Sequence, residues 1–413
     1  MKRPLYIFNP EHDLALANND PNFNPPLSAL QLASDLDHIP LWYSQPDSSV
    51  LCRTYCDNGW LKSMKAMFPQ LSDTQFVQTI HPEFTSEIHP WGWDKAIMKY
   101  ISTHIDEDYD GNKSISFLLP NHIKSEKIRD LSHRKTAIKA HNFIQANTNE
   151  VHIISLPGIV LSTIDEVKEF VKNNSSVVFK APWSGSGKGL CWIKKQLSKS
   201  QLEWCSKIID KQGCIIGEKA YHVVQNFAML FSCKNNESSF AGYSLFETEK
   251  GTYRSNLLLN NDQIFNLLTQ QLVDPELLDA VQQHMKQFIK TEISPFYSGI
   301  LGVDMFVYEE DNRIKLHPCV EINLRMTMGA VARTFYDRFV HPDAQGSFQM
   351  EYFPEKQTLW NDHQQRLHDL PLIVENGKII SGYLSLSNIH PNAHYRLKVE
   401  IHKNSASELQ ETE

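Results

Sequence analysis

No apolar run in this chain approaches the ~18 residues that a membrane-spanning helix needs, so no membrane partner is expected. Positive charge is not in excess either. Forty Lys and Arg stand against 48 Asp and Glu, a net charge of −8, which argues against a basic face for nucleic acid or an anionic membrane. Glycine and proline are modest, 17 and 20 of 413 residues, which excludes collagen-like and low-complexity sequence. Cysteines are few and odd in number: Cys52, Cys56, Cys191, Cys205, Cys214, Cys233 and Cys319. Such scatter gives no disulfide framework and points to a reducing cytoplasm. Cys52 and Cys56 lack a second Cys/His pair at zinc spacing. There is no internal repeat and no long linker. Lys2 and Arg3 precede only the short apolar stretch Leu5 to Phe8, too brief for a signal peptide and better suited to a first buried strand.

What is present is ordinary soluble composition, 41% hydrophobic and 21% charged, in a chain long enough for two to four packed units. After Pro25 and Pro26, Leu27, Leu30 and Leu36 are spaced for one helix face. A second region starts near Ser132 with a helix through Ala137 and Phe143. Thr163 to Glu166 and Ser200 to Glu203 both read as capping boxes, with Gly213 stopping the second helix. Strands are expected at Val177–Lys180 and Cys214–Ile216. Asp274 and Pro275 open a helix that runs to about Lys290. Strand and helix alternate first and antiparallel strands follow, so the class is α/β (α+β). The last ~15 residues, from Val399, are polar and mostly acidic and are expected to fray.

Two segments carry chemistry. Lys180 ends a strand and Ser184-Gly185-Ser186-Gly187-Lys188-Gly189 follows it. Small residues let backbone N–H groups approach phosphate oxygens while a lysine adds point charge. Gly189 stands where a P-loop needs Ser or Thr, and no third glycine completes a dinucleotide fingerprint. The second segment is a hairpin, Gly302 to Tyr308 and Leu316 to Leu324, joined by the polar turn Glu309 to Asn312. Alternation puts Glu321, Asn323 and Arg325 on one face and Val320, Ile322 and Leu324 on the core side. A turn centred on Asp311 and Asn312 places Asp304 across from Cys319. Slippage places it directly opposite Glu321. Either register aims Asp304 at the same face. Two carboxylates and an amide suit Mg²⁺. The competing explanation is a solvated polar sheet face, which Asn, a poor strand former, does not favour.

Taken in order, the strand-end lysine with its Gly/Ser loop, the strand Cys214 to Tyr221 with Glu218, and Asp304…Glu321-x-Asn323-x-Arg325 resemble the ATP-grasp superfamily. The resemblance covers about residues 126–340. It implies an ATP-grasp fold of two α+β subdomains gripping ATP, at 126–216 and 217–340. An α/β pre-ATP-grasp domain would precede them at 1–125, and a C-terminal extension would follow at 341–413. By resemblance, Glu218 and the Lys219–Ala220 backbone meet adenine, and Gln225 stands where the family places a ribose-binding acid. Arg134 takes the place of an earlier phosphate-binding lysine, with Lys135 beside it. Lys180, Ser184, Gly185, Ser186 and Gly187 complete the phosphate site. Asp304, Glu321 and Asn323 hold Mg²⁺, or Mn²⁺ in its place. Arg325 and Lys180 take the catalytic roles.

The implied activity is an ATP-dependent ligase joining a small-molecule or peptide carboxylate to an amine or thiol through an acyl phosphate, in the cytoplasm, with a homodimer among the assemblies that relatives form. An ATP-grasp small-molecule kinase and a non-catalytic nucleotide-binding protein are the alternatives. For the substrate, Glu11 and His12, after the first strand, and Arg254 are candidates set against bland loop or surface roles. Trp91 to Asp94 read as core or loop packing, Arg333 as structural, and His317 and His341 as surface or satisfied polar residues.

Overall fold

The computed structural model describes residues 2–54, 56–105, 115–148, 156–185, 189–194, 196–249 and 252–403. Ser186 and Gly187 of the Gly/Ser loop, and the acidic tail past 403, lie outside them.

The chain opens on a four-stranded parallel sheet: β1 (Arg3–Ile7), β2 (Ser49–Leu51), β3 (Gln75–Val77) and β4 (Thr85–Pro90), in the order β3-β2-β1-β4. Its helices are α1 (His12–Asn18), α2 (Leu27–Asp35), α3 (Asn58–Met67) and α4 (Lys95–Thr103). Parallel strands need crossovers: α1 and α2 lie between β1 and β2, α3 between β2 and β3, and α4 follows β4. Leu36 is fully buried beyond the end of α2, but Leu27 and Leu30 are exposed. Two prolines start this helix at its rim, so its first turn never reaches the core.

Helices α5 (His122–Leu131) and α6 (Lys135–Asn147) follow. The sequence expectation placed them in the second unit. Instead Ile128, Ala137, Ala140 and Ile144 pack into the core of the third unit, with α6 against its strand Arg313–Asn323. The small side chains of α6 allow this close approach to a sheet. The second unit is then an antiparallel sheet of β5 (Ile159–Leu161), β6 (Ser176–Lys180), β7 (Leu190–Lys194) and β8 (Ile215–Lys219), ordered β5-β8-β6-β7. Helices α7 (Ile164–Asn173) and α8 (Lys199–Gln212) cover one face. Thr163 and Glu166 form the capping box of α7. The α8 box is Ser198 with Gln201, two residues before the expected Ser200 with Glu203. Both frames contain a hydroxyl and an acid or amide at the required spacing, so sequence alone does not separate them. Gly213 closes α8 with φ +85°.

A nine-stranded sheet makes the rest. It contains β9 (His222–Lys234), β10 (Glu237–Glu249), β11 (Thr252–Leu258), β12 (Gly299–Glu310) and β13 (Arg313–Asn323). Between β11 and β12 run α9 (Asn261–Gln271) and α10 (Pro275–Phe288), the latter ending in a wider π-helical turn, Ile289–Ile293. Helix α11 (Met328–Phe339) leads on to β14 (Ala344–Tyr352), α12 (Thr358–Asp369), β15 (Ile373–Glu375), β16 (Lys378–Ser385) and β17 (Tyr395–Lys403). Strand order is β13-β12-β9-β10-β11-β14-β17-β16-β15. Residues after 340 are therefore no appendage, since β14 hydrogen-bonds to β11 and β17 to β14 along its length. Val399 to Lys403, expected to fray, form the end of β17. Val399 is fully buried and Ile401 nearly so, and this alternation anchors the strand.

The leading parallel sheet shares its core with this continuation. Trp42 stacks edge-on against Phe335 and Phe339 of α11, at 5.4 and 5.2 Å between ring centroids. All three are fully buried. Phe335→Ala should thus cost about 3–5 kcal/mol and weaken both halves together. Denaturant unfolding followed by tryptophan fluorescence and by circular dichroism should show one coincident, shifted transition.

Candidate active site

A cavity of about 400 Å³ lies where the three units meet. From the second unit, Val178 and Lys180 of β6 face it together with Glu218, which pairs opposite Val178 across β6–β8. Lys180 is 5% exposed and makes a buried ion pair with Glu218. Ala220 and Tyr221 continue the wall. Tyr221 packs on Tyr308 at 4.3 Å, and burial pushes its phenol up to about 12. Lys219 lines the rim, its ammonium paired with Glu310.

The third unit supplies the acidic wall. Asp311 and Asn312, both at positive φ, form the tight turn of the β12–β13 hairpin, with Glu310 opposite Arg313. That turn alone would put Asp304 across from Cys319. A bulge between Asp304 and Phe306 takes up the difference, and Asp304 comes to lie directly opposite Glu321. Asn323 Nδ2 donates to Asp304 Oδ2 at 3.1 Å. Ile322 and Leu324 are buried on the reverse face as expected, whereas Val320 is half-buried and lines the cavity. Val320 falls in the bulge of this hairpin, where residues 318–320 stand opposite Met305 alone, so strict alternation breaks there. Burial, with the Glu321 charge adding to it, pushes the Asp304 carboxyl up to about 7, against the pull of Arg325. A cation between the two acids would relieve that strain in charge, so the donor set fits Mg²⁺.

Two guanidiniums knit the walls together. Arg134, at the start of α6, is 7% exposed. Its Nη1 lies 2.9 Å from Glu321 Oε2, its Nε donates to the Ala181 carbonyl at 3.1 Å and its Nη2 to Ser184 Oγ at 3.4 Å. Lys135 turns away to pair with Asp130 and does not line the cavity. Arg325 forms a two-pronged pair with Asp13 of α1, Nε to Oδ1 at 2.9 Å and Nη2 to Oδ2 at 2.8 Å. Burial opposes the Arg325 charge, but Asp13, Glu321 and Asp304 outweigh it and hold the guanidinium above its usual range. Gly185 closes against the same acid. A Cβ there would stand 2.2 Å from Asp13 Oδ2, so only glycine lets the loop reach this wall.

Several expected residues lie elsewhere. Gln225 donates to the neighbouring Asn226 carbonyl at 2.9 Å and faces away; Asn226 and Ala228 of β9 line the cavity instead. The bulge that shifts β9 against β12 between Val307 and Tyr308 sets which side chains turn inward. Arg254 is solvent-exposed beside Glu249 at 3.6 Å, while its neighbour Tyr253 lines the cavity. Glu11 is bonded to Arg53 at 2.8 Å. His12 is 1% exposed, pairs with Asp94 through Nδ1 at 3.0 Å, and borders only a small side pocket shared with Ser184, Glu321 and Arg325. Sequence reasoning missed Asp13, Trp91, Asn226, Ser244, Asn256 and Thr327, all of which line the cavity. Asp13, Trp91, Asn226 and Asn256 stand in or beside segments that the sequence singles out, next to His12, within Trp91 to Asp94, next to Gln225 and near Arg254; Ser244 does not. Asn256 is fixed by Ser244 Oγ at 2.7 Å and by Tyr253, whose hydroxyl donates to its Oδ1 at 2.7 Å. His317, expected at the surface or satisfied, is 2% exposed among Phe306, Tyr221 and His141, and burial holds its imidazole well below the usual range.

No protein-family model matches the chain, and no curated protein matches it. Among solved structures, it is similar to N5-carboxyaminoimidazole synthetase from Staphylococcus aureus complexed with ADP, at 12% identity and TM-score 0.49 over 100% of this chain and 96% of that one. It is also similar to the biotin carboxylase–ATP complex from Campylobacter jejuni, at 10% and 0.48 over 100% and 90%. A third is the biotin carboxylase domain of 2-oxoglutarate carboxylase from Hydrogenobacter thermophilus, at 11% and 0.49 over 97% and 86%. No helix among the described residues is long and apolar enough to cross a membrane.

His133 precedes Arg134 at the start of α6. His133 Nδ1 accepts from the Lys135 backbone N–H at 2.9 Å, and its ring packs against Trp183. Burial, helped by the Lys135 charge, holds its imidazole down at about 4. A group lowered from 6.5 to about 4 is protonated in the unfolded chain before it is in the folded one, so its contribution is present above pH 6.5 and lost as pH falls through that window. His133→Asn, which keeps the acceptor, should flatten part of the stability loss between pH 6.5 and 4 in denaturant titrations.

Proposed function

We propose that the chain is a Mg²⁺- and ATP-dependent ligase that activates a carboxylate as an acyl phosphate and passes it to an amine, or to a thiol. The observation that carries this reading is the arrangement of charge around one cavity: Lys180, Arg134 and Arg325 surround the Asp304–Glu321–Asn323 group. Each cation is matched by an acid of its own, Glu218, Glu321 and Asp13 respectively. A nucleoside triphosphate with its metal brings both signs at once, so it can exchange with these internal pairs without leaving a buried charge unmatched.

Lys180 and Arg134 would hold phosphate oxygens, and the hinge at Glu218 to Tyr221 would receive the base against an aromatic wall. Asp304, Glu321 and Asn323 would hold Mg²⁺, which when bound neutralises phosphate charge. Arg325, held along one edge by both oxygens of Asp13, would face the charge that builds on the transferred group. A carboxylate oxygen bonds to the γ-phosphorus as the bond to the β-phosphate oxygen breaks, releasing ADP. The amine nitrogen then bonds to the carbonyl carbon, phosphate leaves with the electron pair, and the nitrogen gives up a proton. Positioning supplies most of the acceleration such chemistry needs. Asp13 and Trp91 of the first unit and Asn256 and Thr327 of the third line the same cavity, which suits a small carboxylate wedged between these units rather than a bulky polymer.

The test incubates the protein with Mg²⁺, ATP and panels of small carboxylates and amines, and follows ADP and phosphate. Glu321→Gln should reduce ADP formation to background with an unchanged melting temperature. Wild-type-like turnover in that folded variant would contradict the metal role. A stable phosphoester in place of an amide or thioester would make the enzyme a kinase.

A further inference from the structure

Away from the cavity, the first unit buries a second polar cluster. Asp37 and His38 follow α2, and Cys52 follows β2. They are 0%, 6% and 1% exposed. A carboxylate oxygen of Asp37, a ring nitrogen of His38 and the Cys52 sulfur all lie within 4.8 Å of one another. The half-buried Cys56 thiol is hydrogen-bonded to that of Cys52. Two chain segments 14 positions apart thus bring three metal-ligating side chains to one point, with the Cys56 thiol against the Cys52 thiol, in a core that also holds Trp42, Leu61, Phe68 and Phe76.

The hydrogen bonding leaves room for an ion. Asp37 Oδ2 accepts from the Arg53 backbone N–H at 3.1 Å and from Thr54 Oγ1 at 3.2 Å. Oδ1, fully buried, makes no hydrogen bond and lies 3.2 Å from His38 Nδ1. The Arg53 guanidinium, whose charge reaches Asp37, is bonded to Glu11 instead. Aromatic contacts with Trp60 and Phe76 hold the His38 ring in place.

We propose that Asp37, His38, Cys52 and Cys56 form a four-ligand site for Zn²⁺ that pins the β2–α3 connection to the end of α2. Two sulfurs, one imidazole and one carboxylate match the borderline-soft preference of zinc and its tetrahedral coordination. The Cys-x₃-Cys spacing is within the range of zinc loops. A closed set of four leaves no position for substrate, so the role is structural. The site owes nothing to the ligase reading.

The test uses the full chain, reduced and freed of metal with a chelator, and titrated with Co²⁺ as a spectroscopic probe. One equivalent should bind with a thiolate-to-cobalt charge-transfer band and tetrahedral d–d absorption, and Zn²⁺ should displace it. Cys52→Ser should abolish the charge-transfer band. Should that buried variant fail to fold, Cys56→Ser at the half-buried position should weaken the band. Asp37→Asn should lower cobalt affinity about tenfold or more. Glu321→Gln should leave the spectrum intact, separating this site from the cavity. Cobalt binding without a thiolate band, a band that survives Cys52→Ser or Cys56→Ser unchanged, or no binding at all would overturn the proposal.

Discussion

The candidate active site depends on one irregularity of register. A perfectly paired β12–β13 hairpin closed by Asp311 and Asn312 would face Asp304 with Cys319, leaving the acids diagonal to one another. The bulge before Phe306 moves Asp304 opposite Glu321, where Asn323 also reaches it. Two carboxylates set face to face in a buried wall repel each other, and the folded chain answers with Arg134 on one flank and Arg325 on the other. That compensation ties the site to the fold. Arg134 is where it is because α6 packs on β13, and Arg325 is held by an acid 312 positions earlier.

This wiring makes the three units interdependent. Asp13 belongs to the parallel sheet's first helix, yet it fixes a side chain of the nine-stranded sheet and crowds the Gly/Ser loop of the second unit. The aromatic contact of Trp42 with α11 joins the first unit to the nine-stranded sheet a second time. Cations and anions around the cavity are balanced before any ligand arrives, so binding exchanges partners and avoids stripping bare charges. The carboxyl of Asp304 is the exception. It is buried beside a like charge and favours its proton, which marks the point where an added cation gains most.

Much of this was legible in the residues. Alternation placed Asp304, Glu321, Asn323 and Arg325 on one face. The strand-end Lys180 with its loop, the Glu218 strand and the α7 cap followed from local patterns that depend on neighbours two to four positions away. What was not legible depends on distant contacts or on single-residue shifts. Gln225 and Asn226 exchange places through a bulge that no composition signals. Lys135 looked as suited to phosphate as Arg134 until α6 fixed which of the two faces inward. Asp13 stood one residue from His12 and two from Glu11 in the same promising segment, but only the turn of α1 decides which acid meets Arg325. Residues 341–413 read as an extension because the strand that joins them to the sheet, β14, pairs with β11 across the intervening α9–α11 region. Leu27 and Leu30 fit a helix face that lies beyond the core.

Hydrogen–deuterium exchange with a non-hydrolysable ATP analogue tests the central claim most directly, because it reads both walls of the cavity in one experiment. With Mg²⁺ present, the account predicts joint protection of residues 176–185 and 215–221 of the second unit and of 300–325 of the third, with the protection of 300–325 lost when Mg²⁺ is withheld. Protection of neither wall, or protection of 300–325 that ignores Mg²⁺, would contradict it.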